Sequence, residues 1–68
     1  MLVKDFVAMD KHGSIFCVVD ATRTGYMTYP DSCTLCRNYG HIIAKEFGDH
    51  EIVGFAPRSK NSIMIYVK

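Results

Sequence analysis

Tryptophan is absent from this sequence, proline occurs only twice, and neither sign of charge prevails. Eight Lys and Arg residues face seven Asp and Glu residues, which leaves a formal net charge of +1. Proteins whose main task is to bind the nucleic-acid backbone usually carry a clear positive excess, because they neutralise phosphates. The global charge therefore gives no support to such a function.

Long hydrophobic runs are also missing, and no apolar stretch approaches the roughly 20 residues that a membrane-spanning helix needs. The first residues, MLVKDFVAMDK, interrupt their apolar side chains with Lys4, Asp5 and Asp10, a pattern that predicts no signal peptide. Three cysteines are too few, and odd in number, for a secreted disulfide framework. These features predict a protein of the reducing cytoplasm that does not enter membranes.

Apolar residues are abundant enough for a packed core. Of the 68 residues, 49% are hydrophobic and 22% are charged, which predicts one folded domain over residues 1–68. A domain of this size hides only about 60% of the surface that its unfolded chain exposes. Small domains of this kind often depend on a metal, a disulfide or a partner for stability.

Short stretches rich in β-branched and aromatic residues predict four or five strands. Residues 2–9 and 14–21 are predicted to form a hairpin around a turn at Gly13, and residues 26–29 a short edge strand that ends at Pro30. Residues 50–57 and 62–68 are predicted to form the two closing strands.

One helix is predicted over residues 33–47, after Pro30 and Asp31 at its start and before Gly48 as a left-handed stop. The predicted fold class is α+β, an antiparallel sheet of four to five strands with one helix packed on one face, in the order ββ(β)αββ.

Alternation along the strands divides their apolar side chains between the two faces of the sheet. The set predicted to lie under the helix comprises Ile15, Cys17, Val19, Val53, Phe55, Ile63, Ile65 and Val67. The opposite set comprises Phe16, Val18, Ile52, Met64 and Tyr66, joined by Leu2 and Phe6. An outer face this apolar predicts an interface with a second copy or a different protein. The alternative is that strand twist or a shifted register buries these side chains in the core.

The stretch CTLCRNYGH, residues 33–41, is the part of the chain most suggestive of site chemistry. On a helix, Cys36, Gly40, Ile43 and Phe47 would share one apolar stripe, and both cysteines would be buried as small hydrophobic side chains. Gly40 would then mark a close contact between helix and sheet.

The longer stretch CTLCRNYGHIIAKE supports a different interpretation, because Cys33, Cys36 and His41 have the spacing of metal ligands. It resembles the zinc-knuckle motif, in which Cys, two residues, Cys, four residues, His, four residues and Cys follow one another. Gly40 matches the glycine common before that histidine, whereas Glu46 stands where the fourth ligand, a cysteine, would be. The resemblance implies a zinc ion and nucleic-acid binding through a small metal-ordered loop.

A third interpretation is thiol chemistry, since a helix N-terminus would lower the pKa of Cys33. A thioredoxin-like unit needs a βαβ context and a further helix, which the predicted elements do not provide. No nucleophile and base, no paired carboxylates and no glycine-rich phosphate loop occur at recognisable spacing. An enzyme is therefore not expected.

The leading prediction is a non-enzymatic protein-binding module that acts by occlusion. The residues predicted to bind the partner lie on the outer sheet face and on a helix flank: Phe16, Val18, Met64, Tyr66, Leu35, Tyr39 and Ile42. In size and general format such a module resembles small inhibitors carried by phages and mobile elements, including anti-CRISPR proteins and antitoxins.

The alternative prediction is a nucleic-acid-binding module. It would use the knuckle-like motif, or Arg58 and Lys60 beside an aromatic sheet face formed by Phe16 or Tyr66.

Overall fold

Two helices and four strands form the fold, and the computed structural model describes all of residues 1–68. The helices are α1 (Val3–Ala8) and α2 (Gly40–Phe47). The strands are β1 (Ile15–Asp20), β2 (Thr34–Tyr39), β3 (Ile52–Ser59) and β4 (Ser62–Val67). A short 3₁₀ helix, Pro30–Cys33, precedes β2. The α+β class and the predicted strands at 14–21, 50–57 and 62–68 are confirmed.

The sheet is mixed and has the order β2-β1-β4-β3, so the prediction of a wholly antiparallel sheet is wrong. The central strands β1 and β4 run parallel, and each edge strand is antiparallel to its neighbour. Parallel neighbours need a long crossover. Here β2, α2 and β3 supply it, and these segments intervene between β1 and β4 along the chain.

The first segment is a helix, where the sequence predicted a strand. Val3, Phe6 and Val7 are three and four residues apart, and all three belong to the core or pack against it. The first helical N–H groups are satisfied by carbonyls from elsewhere in the chain: Val3 donates to His50 at 2.9 Å and Lys4 donates to Gly48 at 3.1 Å. This tertiary capping replaces the side-chain cap that the sequence lacks.

Residues 34–39 form a strand, so the predicted helix over 33–47 is wrong in its first half. Leu35, Arg37 and Tyr39 are exposed, and the residues between them are partly buried. That alternation has the period of two typical of a strand. The helix begins only at Gly40, and Gly48 at its end has a φ of −55°, so the predicted left-handed stop is also wrong.

Gly40 does mark a close approach, as predicted, although its closest neighbour is the other helix. A Cβ atom at this position would lie 2.7 Å from Cγ1 of Val7 and 3.2 Å from Cε2 of Phe16. Both distances are shorter than ordinary contacts between carbon atoms. Glycine therefore allows α2 to begin against α1 and the core.

The predicted division of the sheet faces is reversed in β1. Phe16 and Val18 lie under the helices in the main core cluster, whereas Val19 packs on the opposite side with Tyr66. Alternation alone gives two sets of residues without saying which set meets the helices. The main cluster comprises Val3, Phe16, Val18, Ile43, Ile65 and Val67.

The connection between β1 and β2, residues 21–33, covers part of the sheet face opposite the helices. Cys33 packs against Val19 and Tyr66, and the ring of Tyr26 meets the ring of Tyr66 edge-on at 5.4 Å. The predicted short strand at 26–29 is a turn instead. Neither helix is long and apolar enough to cross a membrane.

Candidate protein-binding site

An apolar groove of about 400 Å³ lies between α1 and the outer strand β3. Its lining residues are Met1, Phe6, Met9, Ile52, Val53, Gly54 and Phe55, and the name α1–β3 groove is used for this set below. Four of these side chains are large, hydrophobic and about half exposed or more: Met1 (61%), Met9 (58%), Val53 (46%) and Phe55 (63%). Adjoining exposed apolar side chains of this kind are typical of an interaction surface.

The wall of the groove is anchored in the core through contacts between aromatic rings. Phe6 meets Phe55 with ring centroids 5.1 Å apart and meets the fully buried Phe16 edge-on at 6.2 Å. Contacts between aromatic rings contribute about 0.5–1.5 kcal/mol beyond their buried area. The groove is therefore already formed without a ligand, which lowers the entropic cost of binding.

Strand β3 forms one edge of the sheet, so its outer side has no neighbouring strand over most of its length. Only its beginning is covered, because Leu2 forms an antiparallel bridge with Glu51, the residue before β3. The N–H of Ile52 donates there to the carbonyl of Met1 at 2.9 Å. The unpaired part of the edge runs beside the α1–β3 groove.

The predicted outer-face residues are not available as a surface. Phe16 and Val18 are fully buried beneath the helices, and Tyr66 is only 8% exposed because residues 21–33 cover it. Met64 is half-buried and packs against the same covered cluster. The predicted binding face is therefore mostly core, and the covering connection was the feature that the sequence did not reveal.

The predicted helix flank of Leu35, Tyr39 and Ile42 is divided between two elements. Leu35 and Tyr39 lie on β2 with 50% and 54% of their surface exposed, while Ile42 lies half-buried on α2. Arg37 lies between the first two on the same side of the strand and is exposed. The charge of Arg37 interrupts the apolar surface, and edge strands of soluble proteins commonly carry such charged side chains.

The two cations of the nucleic-acid alternative have different surroundings. Arg58 forms an ion pair with Asp31 at 2.6 Å and donates to Sγ of Cys17 at 3.5 Å. The Asp31 carboxylate is the main cause that raises the pKa of Arg58. Lys60 is exposed in the turn between β3 and β4. Only one of the two predicted cations is therefore unpaired.

The three residues matching the knuckle do not converge. Cys33 is buried against Val19 and Tyr66 on one side of the sheet, whereas Cys36 packs on the helix side. His41 is exposed at the start of α2, where its ring stacks with that of Tyr39. No three His, Cys, Asp or Glu side chains lie close enough together to hold a metal ion.

The Cys36 thiol has Glu46 as its polar neighbour, with Sγ and the carboxylate 3.8 Å apart. Burial, and then the negative charge of Glu46, raise the pKa of this thiol. A raised pKa disfavours the thiolate, which is the reactive form of cysteine. The surroundings of Cys36 are thus opposite to those of an activated redox cysteine, and Cys33 lies at the end of a 3₁₀ helix.

The sequence does not reveal the residues of the groove, because the β-forming residues at 2–9 predict a strand. A helical period over the same residues aligns Val3, Phe6 and Val7, which would have indicated a helix packed against the sheet. Val53 and Phe55 were expected in the core, since nothing in the sequence says that β3 is an edge strand.

Comparisons with protein-family models, with curated proteins and with solved structures found no match to this chain.

Proposed function

We propose that this protein is a non-enzymatic binding module that occludes a surface of another protein through the α1–β3 groove. The observation that carries the proposal is the exposure of Phe55, which keeps 63% of its surface accessible beside Met9 and Val53. An exposed aromatic side chain in a preformed apolar groove has the properties of a binding hot spot. The module is proposed to act in the cytoplasm, in the manner of small inhibitors from phages and mobile elements.

The electrostatic properties also favour protein over nucleic acid as the partner. The net charge is +1, and Arg58 is paired with Asp31. No Lys, Arg or His side chain lines the groove. Binding to a nucleic-acid backbone depends on several unpaired cations that neutralise phosphates. Burial of apolar surface is the larger source of binding energy that this groove offers.

The test compares two variants that introduce the same charge at different exposed positions. Phe55→Asp changes the groove, and Met27→Asp, at a residue 70% exposed in the covering connection, is the matched control. The immobilised wild-type protein and both variants are used to capture partners from an extract of the cells that make it. We expect one protein partner to be retained by the wild type and the control and lost by Phe55→Asp.

Two results would contradict the proposal. A partner retained equally by all three proteins would place the binding surface outside the groove. Capture abolished by nuclease, with affinity that falls steeply as salt rises, would favour the nucleic-acid alternative. Circular dichroism of Phe55→Asp confirms that loss of binding is not loss of fold.

A further inference from the structure

We infer that the α1–β3 groove takes a short extended peptide segment that pairs antiparallel with the free edge of β3. This inference rests on the proposed function and specifies its partner chemistry. The segment would add a fifth strand to the sheet and place apolar side chains, at alternate positions, in the groove. Main-chain hydrogen bonds would provide affinity, and the groove would select the side chains.

The edge of β3 already accepts an extended segment at one end. Leu2 pairs with Glu51 in antiparallel orientation, and the Met1 carbonyl accepts a hydrogen bond from Ile52. A segment continuing this pairing would lie along Val53 and the residues after it. The antiparallel direction of the proposed strand therefore follows from a contact within the chain itself.

The alternation of the β3–β4 ladder indicates which backbone groups are free. In an antiparallel ladder, residue pairs that exchange two hydrogen bonds alternate with pairs that exchange none. Pro57 lies opposite Ile63 and has no N–H to donate, so this pair is one without mutual hydrogen bonds. Phe55, two residues earlier, faces Ile65 in a pair of the same kind. The register of the ladder shifts between Ile52 and Gly54, which moves the outward-facing groups from Ile52 to Phe55. The N–H and C=O of Phe55 accordingly point away from β4, toward the free edge.

The length of the free edge limits the occupant to a short segment. Met1 and Leu2 cover the edge up to Ile52. At its other end the edge stops offering N–H donors at Pro57, which has none. The stretch between them spans residues 53–56, about 13 Å at the usual rise of a strand. A segment of four to six residues fills that length.

A second copy of this chain fits the same edge less well. If β3 paired with β3 of another copy around Phe55, Ser59 of each copy would lie opposite Glu51 of the other. That position is already occupied by Leu2. The other edge strand, β2, is also less suitable, because the exposed Arg37 separates its two apolar side chains.

The experiment selects ligands from a displayed library of linear peptides against the intact protein. We expect enriched peptides with apolar residues at alternate positions, and at least tenfold weaker binding to Phe55→Asp than to Met27→Asp. Phe55→Thr, which places a β-branched residue suited to strands at this position, should also bind weakly while retaining the fold. Amide exchange in the complex should slow at Phe55.

The decisive arm compares a selected peptide with the same peptide methylated at single backbone nitrogens. Removing the one N–H that faces the edge should lower affinity about tenfold, as expected for loss of one hydrogen bond, with little change at the neighbouring nitrogens. Failure to enrich peptides, or equal effects at all nitrogens, would overturn strand addition. If capture of the protein partner still depended on Phe55, the proposed function would stand without strand addition. A wild-type dimer that Phe55→Asp dissociates would instead identify a second copy as the occupant.

Discussion

The close approach at Gly40 gives a quantitative prediction about packing. Replacing Gly40 with alanine places a methyl group 2.7 Å from Cγ1 of Val7 and 3.2 Å from the ring of Phe16. The optimum separation between carbon atoms is about 3.5–4.0 Å, so the first contact is too short by about 1 Å. Overpacking of this kind costs about 1–3 kcal/mol.

An opposing effect comes from helix propensity. Alanine is favoured over glycine by up to about 1 kcal/mol within a helix. Gly40 is the first residue of α2, where the gain is only part of that amount. The net expectation for Gly40→Ala is destabilisation by about 1–2 kcal/mol, since the steric cost exceeds the gain in propensity. For a domain of this size the midpoint of thermal unfolding should fall by about 5–15 °C.

The assay is a double-mutant cycle measured by urea unfolding of four proteins: wild type, Gly40→Ala, Val7→Ala and the double variant. Val7→Ala removes the methyl group that the new Cβ would strike. The free energy of unfolding of the double variant should therefore exceed the value expected from additive effects by about 1 kcal/mol or more. Stabilisation by Gly40→Ala alone, or strictly additive effects, would refute the steric explanation.

The remaining predictions concern the core and two titrating groups. Ile43→Ala should lower the free energy of unfolding by about 2–5 kcal/mol, measured by urea denaturation, because Ile43 is fully buried in the main cluster. Glu46→Gln should lower the pKa of Cys36 and speed its alkylation at fixed pH, because the carboxylate raises that pKa; an unchanged rate would contradict this contact. Thr22→Val should raise the pKa of Asp20, measured by NMR, because the hydrogen bond from the threonine hydroxyl is the main cause that lowers it. A lowered pKa gives stability that is present above the ordinary value and lost as pH falls through the folded value, so wild type should lose more stability in acid than Thr22→Val.

Local patterns predicted three of the four strands, β1, β3 and β4. In β1 and β4, runs of β-branched and aromatic residues were sufficient, since both strands are central and mostly buried on both faces. Gly13 has the positive φ, +68°, that its residue type predicted, although it connects α1 to β1 and the predicted hairpin is absent. These features depend on residues close together in the sequence.

The errors arose where tertiary contacts decide the outcome. The stretch from Cys33 to Phe47 has an apolar stripe at helical spacing, yet its first half pairs with β1 as an edge strand. Residues 2–9 form a helix because carbonyls of His50 and Gly48 satisfy its first N–H groups. Neither partner is close in sequence, so local propensity gave no sign of these contacts.

The candidate site was the least predictable feature. Alternation correctly separated Phe16 from Val19, but the assignment of each set to a face required knowing where the helices pack. The exposure of Phe55 follows from β3 being an edge strand, which is a property of topology. The sequence thus predicted an apolar binding surface, and the structure provides a candidate at a different place.

Amide hydrogen exchange of the free protein and of its complex with the captured partner tests the α1–β3 groove as the binding site most directly. We expect exchange to slow along residues 53–56, with the amide of Phe55 among the most protected. The covering connection at residues 21–33 should exchange at the same rate in both states. Protection confined to that connection or to β2, with none at β3, would contradict the assignment of the α1–β3 groove as the binding site.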